Sequence, residues 1–274
     1  MALLTVRDVR IRDGVTEREI VHGVSFTLTP GKVVGIVGES GSGKTLTCRA
    51  VLGILPEHFT VSGGEITLDG RDVTTLTGRE WTALRGTTIG AVFQDPASYL
   101  NPSLTVGSQV AEVVRVKKGY GRRAARERAV ELLGAVRLRD PGRVYRQYPH
   151  ELSGGMLQRV LIAAAVAAEP RILVADEATT ALDVTVQAEI LDLLADLRER
   201  TGLALVVVSH DLAVVARLCD EVLVLRDGET VEQGPVERIL YAPEHEYTRL
   251  LIAEHEQYGL DRYLAGTREL DHAA

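Results

Sequence analysis

Cysteine is scarce in this sequence, which has only two cysteines in 274 residues. Cys48 and Cys219 lie far apart and show no CxxC spacing. A disulfide framework is therefore excluded, because it needs several cysteines at regular spacings. Two unpaired thiols fit best with a reducing compartment such as the cytosol.

Long hydrophobic runs are also absent. The longest apolar stretch covers residues 160–168, whereas a helix needs roughly 20 apolar residues to cross a bilayer. The first residues lead directly into Arg7 and Asp8, without the long apolar core of a secretory signal. If the protein works at a membrane, we therefore expect it to dock on another protein that spans the membrane.

The sequence has no excess of positive charge. It contains 31 Lys and Arg residues against 38 Asp and Glu residues, and its formal net charge is −7. Proteins that bind nucleic acids usually carry a basic face, so this balance counts against a nucleic-acid partner and we expect none. An arginine-rich segment at residues 122–136 has an apolar side as well, and we expect its charged face to meet water.

Segments typical of strands alternate with segments typical of helices, which predicts an α/β fold with a mainly parallel sheet. Short apolar runs predict buried strands at residues 32–37, 171–175 and 204–209. Between the last two, apolar residues recur at helical spacing over residues 186–197. These elements predict a central sheet with helices packed on both faces.

Three other regions have different patterns. Residues 3–11 and 21–28 alternate apolar and polar side chains, as in half-exposed antiparallel strands. The glycines of Gly63-Gly64 and Asp69-Gly70 bracket a further short strand. From Pro96 to Ala168 the pattern is mostly helical. The sequence thus predicts an antiparallel region, a parallel core and a helical segment.

Residues 38–45 match the pattern G-x-x-x-x-G-K-[ST], which cradles nucleotide phosphates. Its glycines let backbone N–H groups approach phosphate oxygens closely. We expect Lys44 to contact the β- and γ-phosphates, and the Thr45 hydroxyl to ligate Mg²⁺. A helix that starts near Lys44 would point its positive dipole end at the same phosphates. The predicted nucleotide-binding residues of this loop are Gly38, Glu39, Ser40, Gly41, Ser42, Gly43, Lys44 and Thr45.

Two adjacent acids, Asp176 and Glu177, follow the predicted strand at 171–175. Placing two carboxylates at the end of a buried strand costs free energy unless cations meet them. We expect Asp176 to hold Mg²⁺ through water, and Glu177 to orient and polarise the water that attacks the phosphate. The alternative is that the two acids are simply solvated at a strand end, and the presence of the phosphate motif in the same chain disfavours it.

Further motifs occur in a fixed order along the chain. Residues 152–159 read LSGGMLQR and resemble the LSGGQ signature of ABC ATPases. The motifs that accompany this signature are matched by Gln94 in FQDP, Asp183 in ALD and His210 in SHD. With the phosphate loop and the two acids, these motifs span nearly the whole chain, and the sequence resembles the ABC transporter ATPase family.

The resemblance implies a role for each motif. Gln94 would sense Mg²⁺ and nucleotide and relay that state to a membrane subunit, and His210 would contact the γ-phosphate. Asp183 would lie in a loop, the D-loop, that faces a second ATPase subunit. The implied catalytic residues are Glu177 and His210, and the implied Mg²⁺ ligands are Thr45, Gln94 and Asp176. The signature would bind the γ-phosphate held by the opposite subunit, through Ser153, Gly154, Gly155 and Gln158.

The family fold is a P-loop NTPase (RecA-like) core with an N-terminal antiparallel β subdomain and an inserted α-helical signature subdomain. By this resemblance we expect the core and the β subdomain at residues 1–94 and 169–240. The helical subdomain would cover residues 95–168, and a C-terminal extension would cover residues 241–274.

Other stretches resemble the ATPases of oligopeptide, dipeptide and nickel importers, and several look closest to the first ATPase of nickel-type importers. They include VHGVS at 21–25, LGILP at 52–56, YPHE at 148–151, VEQG at 231–234 and HEYTR at 245–249. The resemblance implies a subunit that hydrolyses ATP with Mg²⁺ to energise import of nickel, metal chelates or peptides.

The implied location is the cytoplasmic face of the cell membrane, with the chain bound peripherally. The implied partners are a second, homologous ATPase subunit, two transmembrane permease subunits and an extracytoplasmic solute-binding protein. The alternatives are an ABC transporter for another cargo or direction, a soluble ABC ATPase, and a P-loop kinase or GTPase.

Three positions depart from the family pattern. No cysteine follows Cys219, whereas the peptide branch often carries cysteines for an iron–sulfur cluster in its C-terminal extension, so we expect no such cluster. Ala178 follows the two acids, where proline is usual. Asp13 takes the place of the aromatic residue that stacks on adenine in most ABC ATPases, and affinity should therefore rest mainly on the triphosphate and the metal.

Overall fold

The structure is a computed structural model that describes residues 1–180 and 182–256. Its strands are β1 (Leu4–Asp13), β2 (Glu19–Leu28), β3 (Val33–Val37), β4 (Phe59–Leu68), β5 (Arg71–Asp72), β6 (Ile89–Phe93), β7 (Ile172–Asp176), β8 (Ala204–Val208), β9 (Glu221–Arg226) and β10 (Glu229–Pro235). Its helices are α1 (Lys44–Val51), α2 (Gly78–Leu84), α3 (Val106–Lys118), α4 (Arg122–Ala135), α5 (Pro141–Val144), α6 (Gly154–Val166), α7 (Val184–Thr201), α8 (Leu212–Leu218), α9 (Val236–Tyr241) and α10 (Glu246–Glu256). Short 3₁₀ turns cover Pro96–Tyr99 and Pro149–Glu151.

The central sheet has six strands in the order β10–β9–β3–β8–β7–β6. Neighbouring strands from β9 to β6 run parallel, and β10 runs antiparallel to β9 at one edge. Every residue of β3, β7 and β8 is buried. Strands that are covered on both faces need apolar side chains on both, which explains their continuous apolar runs. The predicted strands at 32–37, 171–175 and 204–209 therefore formed within one residue of the expected bounds.

The second sheet has four antiparallel strands in the order β2–β1–β4–β5. Strand β4 corrects the prediction of a short strand bracketed by Gly63-Gly64 and Asp69-Gly70, because β4 runs straight through Gly63 and Gly64. These glycines face a register shift between Arg7 and Arg10 in β1. Gly64 has φ +80°, and a Cβ there would lie 2.2 Å from the Asp8 carbonyl oxygen. Asp8 and Val9 of β1 together oppose Gly64, so the β-bulge lies in β1, and Gly64 lets the β4 backbone pass close to it without a turn.

The central sheet separates two hydrophobic cores. Val34 and Ile36 of β3 point into the core shared with the antiparallel sheet and helix α1. Val33 and Val37 point into the other core, which also contains buried side chains of α3, α4, α6, α7 and α8. Alternate residues of β3 therefore contribute side chains to both cores. As expected, the segment between Pro96 and Ala168 is mostly helical, with α3, α4 and α6 as its long elements.

No helix within the described residues combines the length and the apolar character that crossing a membrane requires.

We expect Ile162→Ala to lower the free energy of unfolding by about 2–5 kcal/mol, because it leaves a cavity in a closely packed core. Ile162 lies in α6 and is fully buried. Urea denaturation measures the change, and the matched control is Val116→Ala, since Val116 is 65% exposed on α3. An equal decrease in the free energy of unfolding for both variants would contradict the assignment of α6 to the core.

Candidate nucleotide site

The phosphate-binding loop begins where β3 ends. Gly38 has φ +147°, and a Cβ at this position would lie 2.0 Å from the carbonyl oxygen of Leu225 in β9. Such an overlap is impossible, so only glycine fits here. Gly43 has φ +96° and directly precedes the first residue of α1. The two glycines let the chain turn sharply from the sheet into the helix.

Lys44 is held inside this loop and is only 5% exposed. Its Nζ donates to the carbonyl oxygen of Gly38 at 2.8 Å and to that of Glu39 at 2.7 Å. Burial lowers the pKa of Lys44, whereas the carboxylates of Glu177 and Asp176 raise it. The loop thus keeps its positive charge at a fixed point, next to the backbone that would meet the phosphates.

Thr45 and Asp176 are brought together although 131 positions separate them in the sequence. The Thr45 hydroxyl donates to Asp176 Oδ1 at 3.3 Å. Burial raises the pKa of Asp176, the Thr45 hydrogen bond lowers it, and the neighbouring Glu177 raises it again. Mg²⁺ typically takes one or two protein oxygens and completes its shell with water and phosphate oxygens. The hydroxyl and the carboxylate fit such an ion, and both belong to the predicted ligand set.

Glu177 and His210 lie beside each other at the carboxyl ends of β7 and β8. Glu177 has φ +50°, which is unusual for a residue with a side chain. Its backbone N–H donates to the Val208 carbonyl oxygen at 3.0 Å, which helps to hold this conformation. Oε1 of Glu177 lies 3.8 Å from Nδ1 of His210. The structure therefore brings together the two predicted catalytic side chains.

Gln94 reaches the same edge of the sheet from β6. Its neighbour Phe93 is paired with Asp176 of β7, so Gln94 is the first residue beyond that pair. The residue is exposed. An exposed amide next to the acids could sense a bound ion, as the resemblance implies.

The signature residues lie at the beginning of α6. Ser153 caps this helix, and its hydroxyl oxygen accepts from the Met156 N–H at 3.4 Å. A Cβ on Gly155 would lie 2.6 Å from a methyl carbon of Val186, so the turn packs closely against α7. Asp183 caps α7 by accepting from the Val186 N–H at 2.9 Å. The signature turn and the Asp183 loop are therefore direct neighbours.

Gln158 differs from the other signature residues because its side chain is buried. It is 1% exposed, and its side-chain nitrogen has no hydrogen-bond partner among the described residues. The next residue, Arg159, is also buried and donates to the Val136 carbonyl oxygen at 3.0 Å and to Glu189 at 2.6 Å. Because its side chain is buried within this chain, Gln158 is not among the residues proposed to contact a second subunit.

Asp13 ends β1 and closes the turn that follows. Its carboxylate accepts from the Val15 N–H and from the Thr16 hydroxyl, both at 2.8 Å, and these bonds lower its pKa. Asp13 is paired with Phe59 of β4, whose ring lies 4.3 Å from that of His58. The sequence analysis missed these aromatic rings, because a pairing between distant strands leaves no local signal.

One further contact of the phosphate-binding loop was missed as well. The backbone N–H of Glu39 donates to the hydroxyl of Tyr247 at 3.0 Å. Tyr247 belongs to α10, which is 208 positions away in the sequence. The HEYTR stretch that contains Tyr247 resembles importer ATPases by sequence, and nothing in it predicts a contact with the nucleotide site.

Comparison with curated proteins gives relatives along most of the chain. The "Oligopeptide transport ATP-binding protein OppD" of Bacillus subtilis is 44% identical over 256 residues, covering 92% of this chain and 71% of that protein. The "Metal-staphylopine import system ATP-binding protein CntD" of Staphylococcus aureus is 40% identical over 253 residues, covering 92% of this chain and 93% of that protein. The "Peptidoglycan transport ATP-binding protein YejF" of Agrobacterium fabrum is 45% identical, but this chain spans only 46% of its length.

Solved structures agree with this result. The dimeric ATP-binding cassette MJ0796 bound to ADP and Pi has a TM-score of 0.75 and 31% identity, over 85% of this chain and 98% of that one. CbiO1 from Clostridium perfringens, part of the ABC transporter complex cbiONQ, has a TM-score of 0.77 and 27% identity, over 88% of this chain and 91% of that one. The family described as "ABC transporter" matches residues 21–180. The chain therefore belongs to the ABC transporter family and is one of its ATP-binding ATPase subunits.

Proposed function

We propose that this chain energises the import of peptides or of metal ions such as nickel, free or in chelates. The observation that carries this proposal is the 40–44% identity to relatives that are named for oligopeptide, dipeptide and metal–staphylopine transport. Each alignment covers at least 92% of this chain. The residues that act on ATP set neither cargo nor direction, so the names of these relatives are what favours import.

In the proposed reaction, the loop from Gly38 to Thr45 binds the phosphates and Lys44 offsets their charge. Bound Mg²⁺ would add positive charge at the β- and γ-phosphates. Glu177 orients the attacking water and withdraws its proton, and His210 contacts the γ-phosphate. Oε1 of Glu177 lies 3.8 Å from Nδ1 of His210, which supports the proposal that both side chains act at the same γ-phosphate. Gln94 at the same edge reports the state of the site to the membrane subunits.

The second half of the site would come from another ATPase subunit. Ser153, Gly154 and Gly155 begin α6, and the N–H groups of a helix start bind anions well. Within the described residues no hydrogen bond joins this turn to the phosphate-binding loop. The relative MJ0796 was solved as a dimer, and we propose a similar sandwich here, with a homologous second ATPase as the partner and Asp183 facing it.

The remaining partners would be two permease subunits and an extracytoplasmic solute-binding protein, with this chain bound peripherally to the cytoplasmic face.

We also propose the division into a core (1–94 and 169–240), a helical subdomain (95–168) and a C-terminal extension (241–274). The part of the extension from residue 257 onward lies outside the described residues. Transport of another cargo, or export, is the competing function.

Purification of the complex tests the cargo. The chain is tagged, its permease and solute-binding partners are co-purified, and nickel, metal chelates and peptides are offered as ligands. We expect one of these classes to bind and to stimulate ATP hydrolysis in vesicles. Binding of none of them, or stimulation from the cytoplasmic side, would contradict the proposed import.

We expect Glu177→Gln to lower kcat for ATP hydrolysis by at least about a hundredfold, since glutamine keeps the shape of the side chain but cannot take a proton from water. The Kd for ATP should remain within about threefold, because the phosphate contacts come from the loop. The measurement is steady-state ATPase activity of the assembled complex together with nucleotide titration. Glu199→Gln is the control at an exposed position, and near-normal turnover of Glu177→Gln would exclude this residue as the base.

Ser153→Arg should block the partner's site and leave the chain's own phosphate-binding loop unchanged. In a Glu177→Gln background, ATP should hold two ATPase subunits together, because bound ATP is not consumed. Adding Ser153→Arg should abolish this association while the Kd for ATP of the isolated chain stays within about twofold. Analytical ultracentrifugation with the partner ATPase measures the association. The matched control is Ser62→Arg, at an exposed position of β4. Continued association would mean that the signature does not contact the partner's nucleotide.

A further inference from the structure

The peptide bond that joins Gly38 to Glu39 is held from opposite sides. Its carbonyl oxygen, which belongs to Gly38, accepts from the ammonium of Lys44 at 2.8 Å. Its N–H, which belongs to Glu39, donates to the hydroxyl of Tyr247 at 3.0 Å. In a trans peptide the C=O and the N–H point in opposite directions. The two bonds together therefore fix the orientation of this peptide plane.

Tyr247 is well suited to hold a fixed position. The residue is 4% exposed, and the guanidinium carbon of Arg226 lies 4.9 Å from the centre of its ring. Arg226 ends β9, directly after Leu225, whose carbonyl oxygen excludes a side chain at Gly38. The tyrosine ring and the beginning of the phosphate-binding loop are thus packed against the same strand end.

The start of α10 is anchored by hydrogen bonds that do not involve the nucleotide site. The buried carboxylate of Glu232 in β10 accepts from the N–H groups of Glu244 at 2.9 Å and His245 at 3.1 Å. The Nδ1 of His245 then accepts from the Tyr247 N–H at 3.1 Å. These bonds fix the backbone that carries Tyr247, and hence the position of its hydroxyl.

We propose that Tyr247 is a positioning residue of the nucleotide site, which holds the Gly38–Glu39 peptide in the orientation that directs its carbonyl oxygen at Lys44. Through this bond, helix α10 of the C-terminal extension sets the affinity of the chain for ATP. The proposal rests on ATP binding alone and is independent of cargo, direction and partners.

The physical reason is the freedom of the peptide when the hydroxyl is removed. Gly38 has no side chain, so rotation of this peptide meets little steric resistance from the glycine. Rotation would turn the Gly38 oxygen away from Lys44, so that of the two carbonyl oxygens only that of Glu39 would still hold the ammonium. The measured affinity falls in proportion to the fraction of molecules whose loop is ready to bind. One net hydrogen bond corresponds to about a three- to tenfold change in that equilibrium, and the Kd can rise by up to this factor.

The test uses the full-length chain with Tyr247→Phe, which removes the hydroxyl and keeps the ring. We expect the Kd for Mg-ATP to rise about three- to tenfold, and the Glu39 amide to exchange its hydrogen faster with solvent. The midpoint of thermal unfolding should stay close to that of the unchanged chain. The control is Tyr120→Phe, which removes the hydroxyl of an exposed residue. It should change neither the Kd nor the hydrogen exchange of Glu39. A folded Tyr247→Phe variant with an unchanged Kd would overturn the proposal.

A second variant keeps the test decisive if Tyr247→Phe does not fold. Glu232→Gln weakens the anchor of α10 and leaves the loop and Tyr247 intact. It should also raise the Kd for Mg-ATP, and it should speed hydrogen exchange of the Glu39 amide. A lower thermal midpoint with an unchanged Kd would show that Tyr247 and α10 serve only the stability of the fold.

Discussion

The nucleotide site depends on one close approach, in which the backbone at Gly38 meets the carbonyl oxygen of Leu225. A Cβ would lie only 2.0 Å from that oxygen, so the end of β3 is pressed directly against the end of β9. This contact fixes the phosphate-binding loop relative to the whole parallel sheet. Because ligands of such sheets bind at the carboxyl ends of the strands, β7 and β8 can then add Asp176, Glu177 and His210 at defined places.

The central sheet was predictable because burial on both faces leaves a continuous apolar run in the sequence. Strands β3, β7 and β8 each have this pattern. The bulge in β1 opposite Gly64 was not predictable, because two glycines in sequence signal a turn as readily as a close approach to a bulged neighbouring strand. Only the close approach of Gly64 to the Asp8 backbone in the neighbouring strand decides between the two, and that pairing joins distant parts of the chain.

Within the site, the residues proposed to act on phosphate could be named from the sequence, because each belongs to a contiguous motif with a characteristic chemical task. The structure brings Thr45 to Asp176 and Glu177 to His210, as the motifs imply. What the sequence does not contain is the direction in which a helical side chain points. Gln158 belongs to the signature by sequence but lies in the interior, and Tyr247 reaches the loop from a segment that carries no phosphate motif.

The carboxylates around Lys44 favour the proposed binding of a metal ion together with the nucleotide. Lys44 is the cation within the loop, yet Asp176, Glu177 and Glu39 lie near enough to raise its pKa. A triphosphate that approached alone would meet these carboxylates as well as Lys44, and like charges at short distance oppose binding. A divalent cation held by Asp176 and Thr45, as proposed above, would reduce this opposition and would lower the free-energy cost of keeping Asp176 ionised while buried. The burial of Asp176, which costs free energy in an ordinary strand, would then make the affinity for nucleotide depend on the proposed ion.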